Sequence, residues 1–154
     1  MFDAIAGNYD FRNHLLSAGI DRRWRRKAIR TLGLTGRERV LDLCTGSGCL
    51  AILAARAFAH AQIDAVDISK DALEVAARNI ADYGLGKRVT LHRGDLFKPI
   101  GERSYDLIIT NPPYVDAQGM AALPRECRAE PRLAFEGGAD GLDIAVAALA
   151  AKTP

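Results

Sequence analysis

Along this chain, short apolar runs alternate with stretches in which apolar positions recur every three or four residues. Arg39-Val40-Leu41-Asp42-Leu43 reads as a buried strand, and Cys49 to Ala59 reads as a helix that follows a glycine turn. Residues 62–67 (QIDAVD) form a second strand, after which Ser69 caps a helix with Asp71 in its first turn. In that helix Leu73, Ala76, Ala77 and Ile80 fall on one stripe, and Gly84 supplies the stop. Arg88 to His92 and Tyr105 to Ile109 read as third and fourth strands, and Leu142 to Ala151 as a final, core-facing helix. Strands separated by helices call for right-handed crossovers and a parallel sheet covered on both faces, so the expectation is a doubly wound α/β unit. Residues 111–141 between the last strand and the last helix read as one long loop, a length at which loops are usually functional.

With 154 residues, 49% hydrophobic and 26% charged, the chain has the make-up of one globular domain. Its most apolar stretches are too short to span a bilayer and the N-terminus does not read as a secretory signal, so the cytoplasm is the expected compartment. Cys44, Cys49 and Cys127 show no paired spacing and read as small buried hydrophobes, and no metal site is expected. The net charge is +2, but residues 1–33 carry seven Arg/Lys against three Asp, so that segment holds +4 and the remainder −2. The excess lies in DRRWRRK, residues 21–27, which suits either phosphate binding or the solvated face of a helix whose Trp24 and Ile29 turn inward.

Chemistry enters at Asp42-Leu43-Cys44-Thr45-Gly46-Ser47-Gly48-Cys49-Leu50-Ala51, where a G-x-G-x-x-A turn follows a strand and opens a helix. Glycines let the main chain turn sharply and approach a ligand, and the N–H groups of the helix start favour a polar or negative group. Asp67 lies 21 residues beyond Gly46 at the end of the second strand, where a carboxylate accepts hydrogen bonds from both hydroxyls of a ribose. An acid at position 42, four residues before the first glycine, suits a ligand with an ammonium group better than a pyrophosphate.

DLCTGSG, the acid in AVDIS and GDLF at residues 94–97 together resemble the class I S-adenosylmethionine-dependent methyltransferases. The resemblance implies a Rossmann-like parallel sheet, here about four strands in the order 3-2-1-4, and S-adenosyl-L-methionine as cofactor with S-adenosyl-L-homocysteine as product. It places Asp42, Cys44, Thr45, Gly46, Gly48, Asp67, Ile68, Asp95, Leu96 and Asn111 around that cofactor, with Asp95 on the adenine amino group and Ile68 packed on the ring.

The stretch TNPPYV, residues 110–115, then has a chemical reading. An amide or aniline nitrogen has a delocalised lone pair, so a methyl acceptor of that kind must be held by both N–H bonds with the lone pair aimed at the methyl. Asn111 offers a side-chain carbonyl and Pro112 a main-chain carbonyl, two acceptors stiffened by the Pro112-Pro113 pair. Tyr114 offers a face for a planar amide or base. Positioning of this kind contributes up to roughly 7–11 kcal/mol without a strong base.

The segment that follows, with LPRECRAEP and EP..AF.GG.DG, resembles the glutamine amide N-methyltransferases of release factors and a ribosomal protein, leaning to the ribosomal branch. That resemblance covers about residues 34–154 and implies that Pro113, Glu130, Pro131 and the glycine-rich stretch lie against the protein substrate. Residues 1–33 instead resemble the helical start of the menaquinone and ubiquinone C-methyltransferases. The expected organisation is therefore chimera-like: an N-terminal helical segment, residues 1–33, and a shortened methyltransferase core, residues 34–154, whose open fourth strand favours a homo-oligomer. A non-catalytic cofactor-binding unit, a quinone C-methyltransferase and a nucleobase amine methyltransferase are the alternatives. No nucleic-acid-reading module accompanies the last.

Overall fold

A computed structural model of the chain describes residues 33, 35–123, 127 and 130–150. The chain divides into two units, Met1–Thr35 and Gly36–Pro154. The expected N-terminal helical segment lies outside the described residues, and the architecture below is that of the second unit.

Four short apolar runs pair in parallel in the order β3-β2-β1-β4: β1 is Arg39–Leu43, β2 Gln62–Asp67, β3 Val89–Arg93 and β4 Leu107–Thr110. This is the four-stranded, Rossmann-like order expected from the sequence. Because side chains alternate along a strand, the register sorts residues into two faces. Val40 aligns with Ile63, which aligns with Val89, and these buried residues belong to one face. Leu43 aligns with Val66 on the other, where Leu41, Leu43, Val66 and Ile100 form a cluster packed by Leu96, Phe97, Tyr105 and Ala148.

Helices α1 (Cys49–Ala57) and α2 (Lys70–Asp82) cross between the strands and pack on the sheet. Helix α1 buries Ala51, Ile52, Ala54 and Ala55, mostly small side chains that allow close approach. The fit is tight at its start, since a Cβ on Gly48 would lie 3.2 Å from the Ala76 Cβ of α2. In α2 the Ser69 hydroxyl accepts the Ala72 N–H at 3.2 Å, as expected of a cap. Ala76 and Ile80 are buried and Leu73 half-buried, but Ala77 is exposed, so the buried stripe is narrower than the sequence pattern suggests.

Several boundaries move for tertiary reasons. Helix α1 stops at Ala57, where Phe58 is extended, and Arg88 Nη1 donates to the carbonyls of Phe58 and Ala59 beyond its end, both at 3.0 Å. Arg88 precedes β3 because its N–H goes to the Leu85 carbonyl at 2.8 Å, though its own carbonyl accepts the Ile63 N–H at 2.8 Å. Tyr105 and Asp106 stay outside β4, with the Asp106 carboxylate accepting the Arg39 N–H at 2.8 Å. The long segment after β4 contains α3 (Ala117–Ala121), capped by Asp116, and a 3-10 turn at Arg132–Ala134. Helix α4 (Asp143–Ala150) was expected to face the core, yet none of its residues is buried; Leu142, Val146 and Leu149 are exposed and only its small Ala148 meets the core cluster. The cysteines also depart from expectation, since Cys49 is exposed and Cys44 and Cys127 are half-buried. Among the described residues no helix is long and apolar enough to cross a membrane.

Asp64, central in β2, ties the sheet to the segment that leads into β4. It meets His92 Nε2 at 2.6 Å and the Tyr105 hydroxyl at 2.8 Å, with Arg103 Nη1 at 3.4 Å. Burial raises the Asp64 carboxyl, but hydrogen bonds from His92 and Tyr105 and the charges of His92 and Arg103 outweigh it and hold the group below its ordinary range. A carboxyl depressed on folding adds stability above its unfolded value, and that stability fades as pH falls through the folded value. Asp64→Asn is expected to cost about 1.5–3 kcal/mol at pH 7, with the difference shrinking below pH ~4. Urea unfolding at both pH values measures it, and a difference independent of pH would contradict the assignment.

Candidate active site

The parallel register brings the C-terminal ends of all four strands into a row. Leu43 lies between Val66 and Thr110, and Asp67 lies opposite Arg93. The residues that follow these ends, Cys44, Ile68, Gly94 and Asn111, are therefore neighbours, about 4.8 Å from strand to strand. Ligands in open α/β sheets bind in this crevice.

The glycine turn is held from both adjoining strands. Thr45 N–H donates to the Val66 carbonyl at 3.0 Å. Gly46 N–H donates to Asp67 Oδ2 at 2.8 Å, while Asp67 Oδ1 takes the Ser69 N–H at 2.9 Å. Each carboxylate oxygen keeps a lone pair, so Asp67 retains acceptor capacity for a ribose. A Cβ on Gly46 would meet nothing within 4 Å, so this side of the turn is open, and its φ of +55° favours glycine. Beside it Ile68 leaves 51% of its surface exposed, an apolar face at the strand-end crevice.

Asp42 has a task that sequence reading missed. It is wholly buried, and its Oδ2 accepts the Thr45 hydroxyl at 2.5 Å and the Ala51 N–H at 3.0 Å. Gly48, the N-cap of α1, offers no side chain, so the carboxylate of Asp42 replaces the missing cap from the strand below. Its Oδ1 is buried without a hydrogen-bond partner. Burial, reinforced by the charge of Asp67, raises the Asp42 carboxyl to about 6 against the pull of Thr45 and Ala51. An ammonium group near this end of β1 would relieve that cost.

Cys44 and Leu96 are the two non-glycine residues with positive φ among the described residues, at 56° and 46°. Such conformations cost about 1–3 kcal/mol each and gather at functional sites. Both flank the row. Burial and the nearby Asp67 push the Cys44 thiol up to about 11, so it is protonated at neutral pH and is no nucleophile.

At β3, Gly94 N–H donates to the Asp67 carbonyl at 3.0 Å, which ties the start of the GDLF stretch to the end of β2. A Cβ on Gly94 would sit 2.8 Å from the Pro99 ring, a demand for space that the sequence does not reveal. Asp95 is exposed and bonded to Lys98 Nζ at 2.7 Å.

At β4, the Thr110 hydroxyl donates to the Leu43 carbonyl at 2.9 Å and pins the start of the NPPY stretch to the glycine turn. Asn111 is exposed and Tyr114 shows 69% of its surface, while Pro112 and Pro113 are half-buried. Glu130 and Pro131 are both exposed and lie further along the chain. Glu130 lines a hollow together with Met120, Leu123, Cys127, Arg132 and Phe135. The strand ends bring together the glycine turn, Asp67 and the NPPY stretch, and Glu130 and Pro131 belong to the segment that follows. Among the described residues no cluster of three metal-ligating side chains occurs.

An S-adenosyl group needs a ribose acceptor, an apolar surface and an acid near its ammonium end. Asp67, exposed Ile68 and the orphaned Oδ1 of Asp42 fit that set. Because the Asp42 carboxyl is raised on folding, its stabilising contribution is present below about pH 4 and lost as pH rises through about 6. In the ligand-free chain the stability of the unaltered protein relative to Asp42→Asn is expected to fall by about 2–3 kcal/mol between pH 4 and pH 7. Denaturant titrations across that range check it, and a flat difference would refute the raised carboxyl.

Residues 27–129 match the family model described as methyltransferase small domain. The chain is 76% identical over 110 residues to a ribosomal protein uL3 glutamine methyltransferase of Bradyrhizobium diazoefficiens, covering 71% of this chain and 34% of that protein. It is 62% identical over 114 residues to the protein of the same name from Bordetella pertussis, covering 74% and 38%. The chain therefore spans about a third of the length of these curated relatives. Among solved structures, a putative sarcosine dimethylglycine methyltransferase from Galdieria sulphuraria superposes with a TM-score of 0.52 at 25% identity, over 58% of this chain and 34% of that one. With the matched residues spanning the glycine turn, Asp67 and the NPPY stretch, the chain belongs to the methyltransferase small domain family and has the class I S-adenosylmethionine-dependent methyltransferase fold.

Proposed function

We propose that this chain is the methyl-transferring core of a protein glutamine N-methyltransferase, acting on a glutamine carboxamide of ribosomal protein uL3. The observation that carries this reading is the end of β4, where an exposed amide side chain, a proline carbonyl and an open tyrosine face stand beside the glycine turn. The relatives named for uL3 glutamine methylation support the choice of acceptor.

Asp67 would hold the ribose hydroxyls of S-adenosylmethionine, Ile68 and Leu96 the adenine face, Asp95 the adenine amino group, and the Cys44-to-Gly48 turn the amino-acid end. When bound, the cofactor supplies a methyl group on a positively charged sulfur. The rest is done by residues of this chain. The Asn111 side-chain carbonyl and the Pro112 carbonyl accept the two N–H bonds of the carboxamide. Both protons are then engaged in the amide plane, and the nitrogen lone pair is left to face the methyl. Tyr114 covers the flat face of the amide. Pro112 and Pro113 have no N–H of their own, so the stretch presents acceptors without competing donors. As the N–C bond forms and the S–C bond breaks, the nitrogen becomes cationic and loses one proton to water, and the thioether product departs. No strongly basic side chain is required, because the proton is released only after the nitrogen has become acidic.

Incubation with cofactor labelled in its methyl group and purified uL3 is expected to place label on a glutamine. Asn111→Ala at saturating cofactor is expected to lower kcat about 100-fold. Unaltered turnover in that variant, or label that resists every glutamine substitution in uL3, would overturn the proposal.

A further inference from the structure

Two prolines that lack N–H groups cannot hold their own position through donated hydrogen bonds, and Pro112 and Pro113 lie outside the sheet. Their restraint comes from farther along the chain. Val115 N–H donates to the Phe135 carbonyl at 2.8 Å, and Gly137 N–H donates to the Val115 carbonyl at 2.9 Å, a parallel bridge between Val115 and Glu136. This fixes the main chain one residue beyond Tyr114.

The bridge works because the opposing segment has no side chain where it touches. A Cβ on Gly137 would lie 2.8 Å from the Pro113 carbonyl oxygen, from the Tyr114 Cα and from the Gly141 carbonyl oxygen. A Cβ on Gly141 would collide with the Tyr114 carbonyl oxygen. Gly141 also has φ of +78°, but Gly137 has no positive φ, so space alone demands glycine there. Behind these glycines the start of α4 braces the segment: Asp143 N–H donates to the Gly137 carbonyl at 3.0 Å, and the Asp143 carboxylate fills the place that a Cβ on Gly138 would need.

We infer that Gly137 and Gly141 are positioning residues for the methyl acceptor. They lie against the protein's own main chain, and by seating residues 135–143 directly on Pro113 and Tyr114 they set where the Pro112 carbonyl and the Tyr114 ring stand. The inference rests on the glutamine methylation proposed above and adds residues that act through the NPPY stretch. A methyl group at Gly137 must push two main-chain segments apart by several tenths of an ångström, and misplacement on this scale is costly to a reaction that depends on alignment.

The test is Gly137→Ala in the full chain, with Gly86→Ala as control, because a Cβ on Gly86 meets nothing within 4 Å and its φ is ordinary. In Gly137→Ala, kcat is expected to fall at least about 30-fold. Hydrogen-exchange protection of the Val115 amide is expected to drop about tenfold or more. The cofactor Kd should stay within about twofold and the melting temperature within about 2 °C, a split that general destabilisation would not produce. The control should match the unaltered chain throughout. Unchanged kcat in Gly137→Ala, or a fall in kcat accompanied by an equal loss of cofactor affinity, would overturn the positioning role. Failure of the unaltered chain to methylate any glutamine would defeat the functional proposal and this inference with it, whereas transfer that Gly137→Ala leaves intact defeats this inference alone.

Discussion

The junction at Asp67 is the constraint on which the rest of this structure depends. One carboxylate at the end of β2 takes the Gly46 N–H of the neighbouring turn with one oxygen and the Ser69 N–H of its own exit with the other, while its carbonyl takes Gly94 N–H from the third strand. Three strand ends meet through a single residue. Without its carboxylate the glycine turn and the start of α2 lose their common anchor. Asp42 performs the matching task from below, holding Thr45 and Ala51 so that α1 begins over the end of β1. The two acids lie close enough that the charge on Asp67 contributes to raising Asp42, a cost retained in the ligand-free protein at the place where a cationic ligand end would offset it.

Much of this frame is legible in the sequence, for physical reasons. β1 and β2 begin and end where the apolar runs do, because their buried positions leave little freedom of register. Gly46, Asp67 and Asn111 can be placed at the strand ends in advance because the glycine turn and the ends of the apolar runs are visible in the sequence. What could not be read is decided between segments. Arg88 gives its N–H to the Leu85 turn while its side chain reaches the end of α1, Tyr105 lies outside β4 with its hydroxyl on Asp64, and Ala77 drops from its stripe because α2 buries a narrower face than its pattern allows. Helix α4 has a strongly apolar composition yet remains exposed, and composition says nothing of what, if anything, covers a helix.

The site divides in the same way. A motif announces that glycine matters but not why: Gly46 is needed for its backbone angle and open side, Gly94 for the Pro99 ring, Gly137 for two carbonyl oxygens. The Asp42–Thr45 contact is visible in DLCT as neighbouring residue types, but its burial, and the orphaned oxygen, belong to the folded state. Glu130 and Pro131, which the family resemblance sets near the substrate, are exposed, and Glu130 lines a hollow with Phe135.

The glycine turn and the NPPY stretch are held by different sets of contacts. Carboxylates that accept main-chain N–H groups hold the first, while a main-chain bridge at Val115 and the close fit of Gly137 and Gly141 hold the second. The most direct measurement is titration of the isotopically labelled chain with S-adenosylhomocysteine, followed by amide NMR. Saturable shifts at Gly46, Asp67, Ile68, Asp95 and Asn111, with one common dissociation constant, are the predicted result. Shifts confined to other residues, or no saturation at millimolar ligand, would contradict the assignment of the strand-end row as the methyl-donor site.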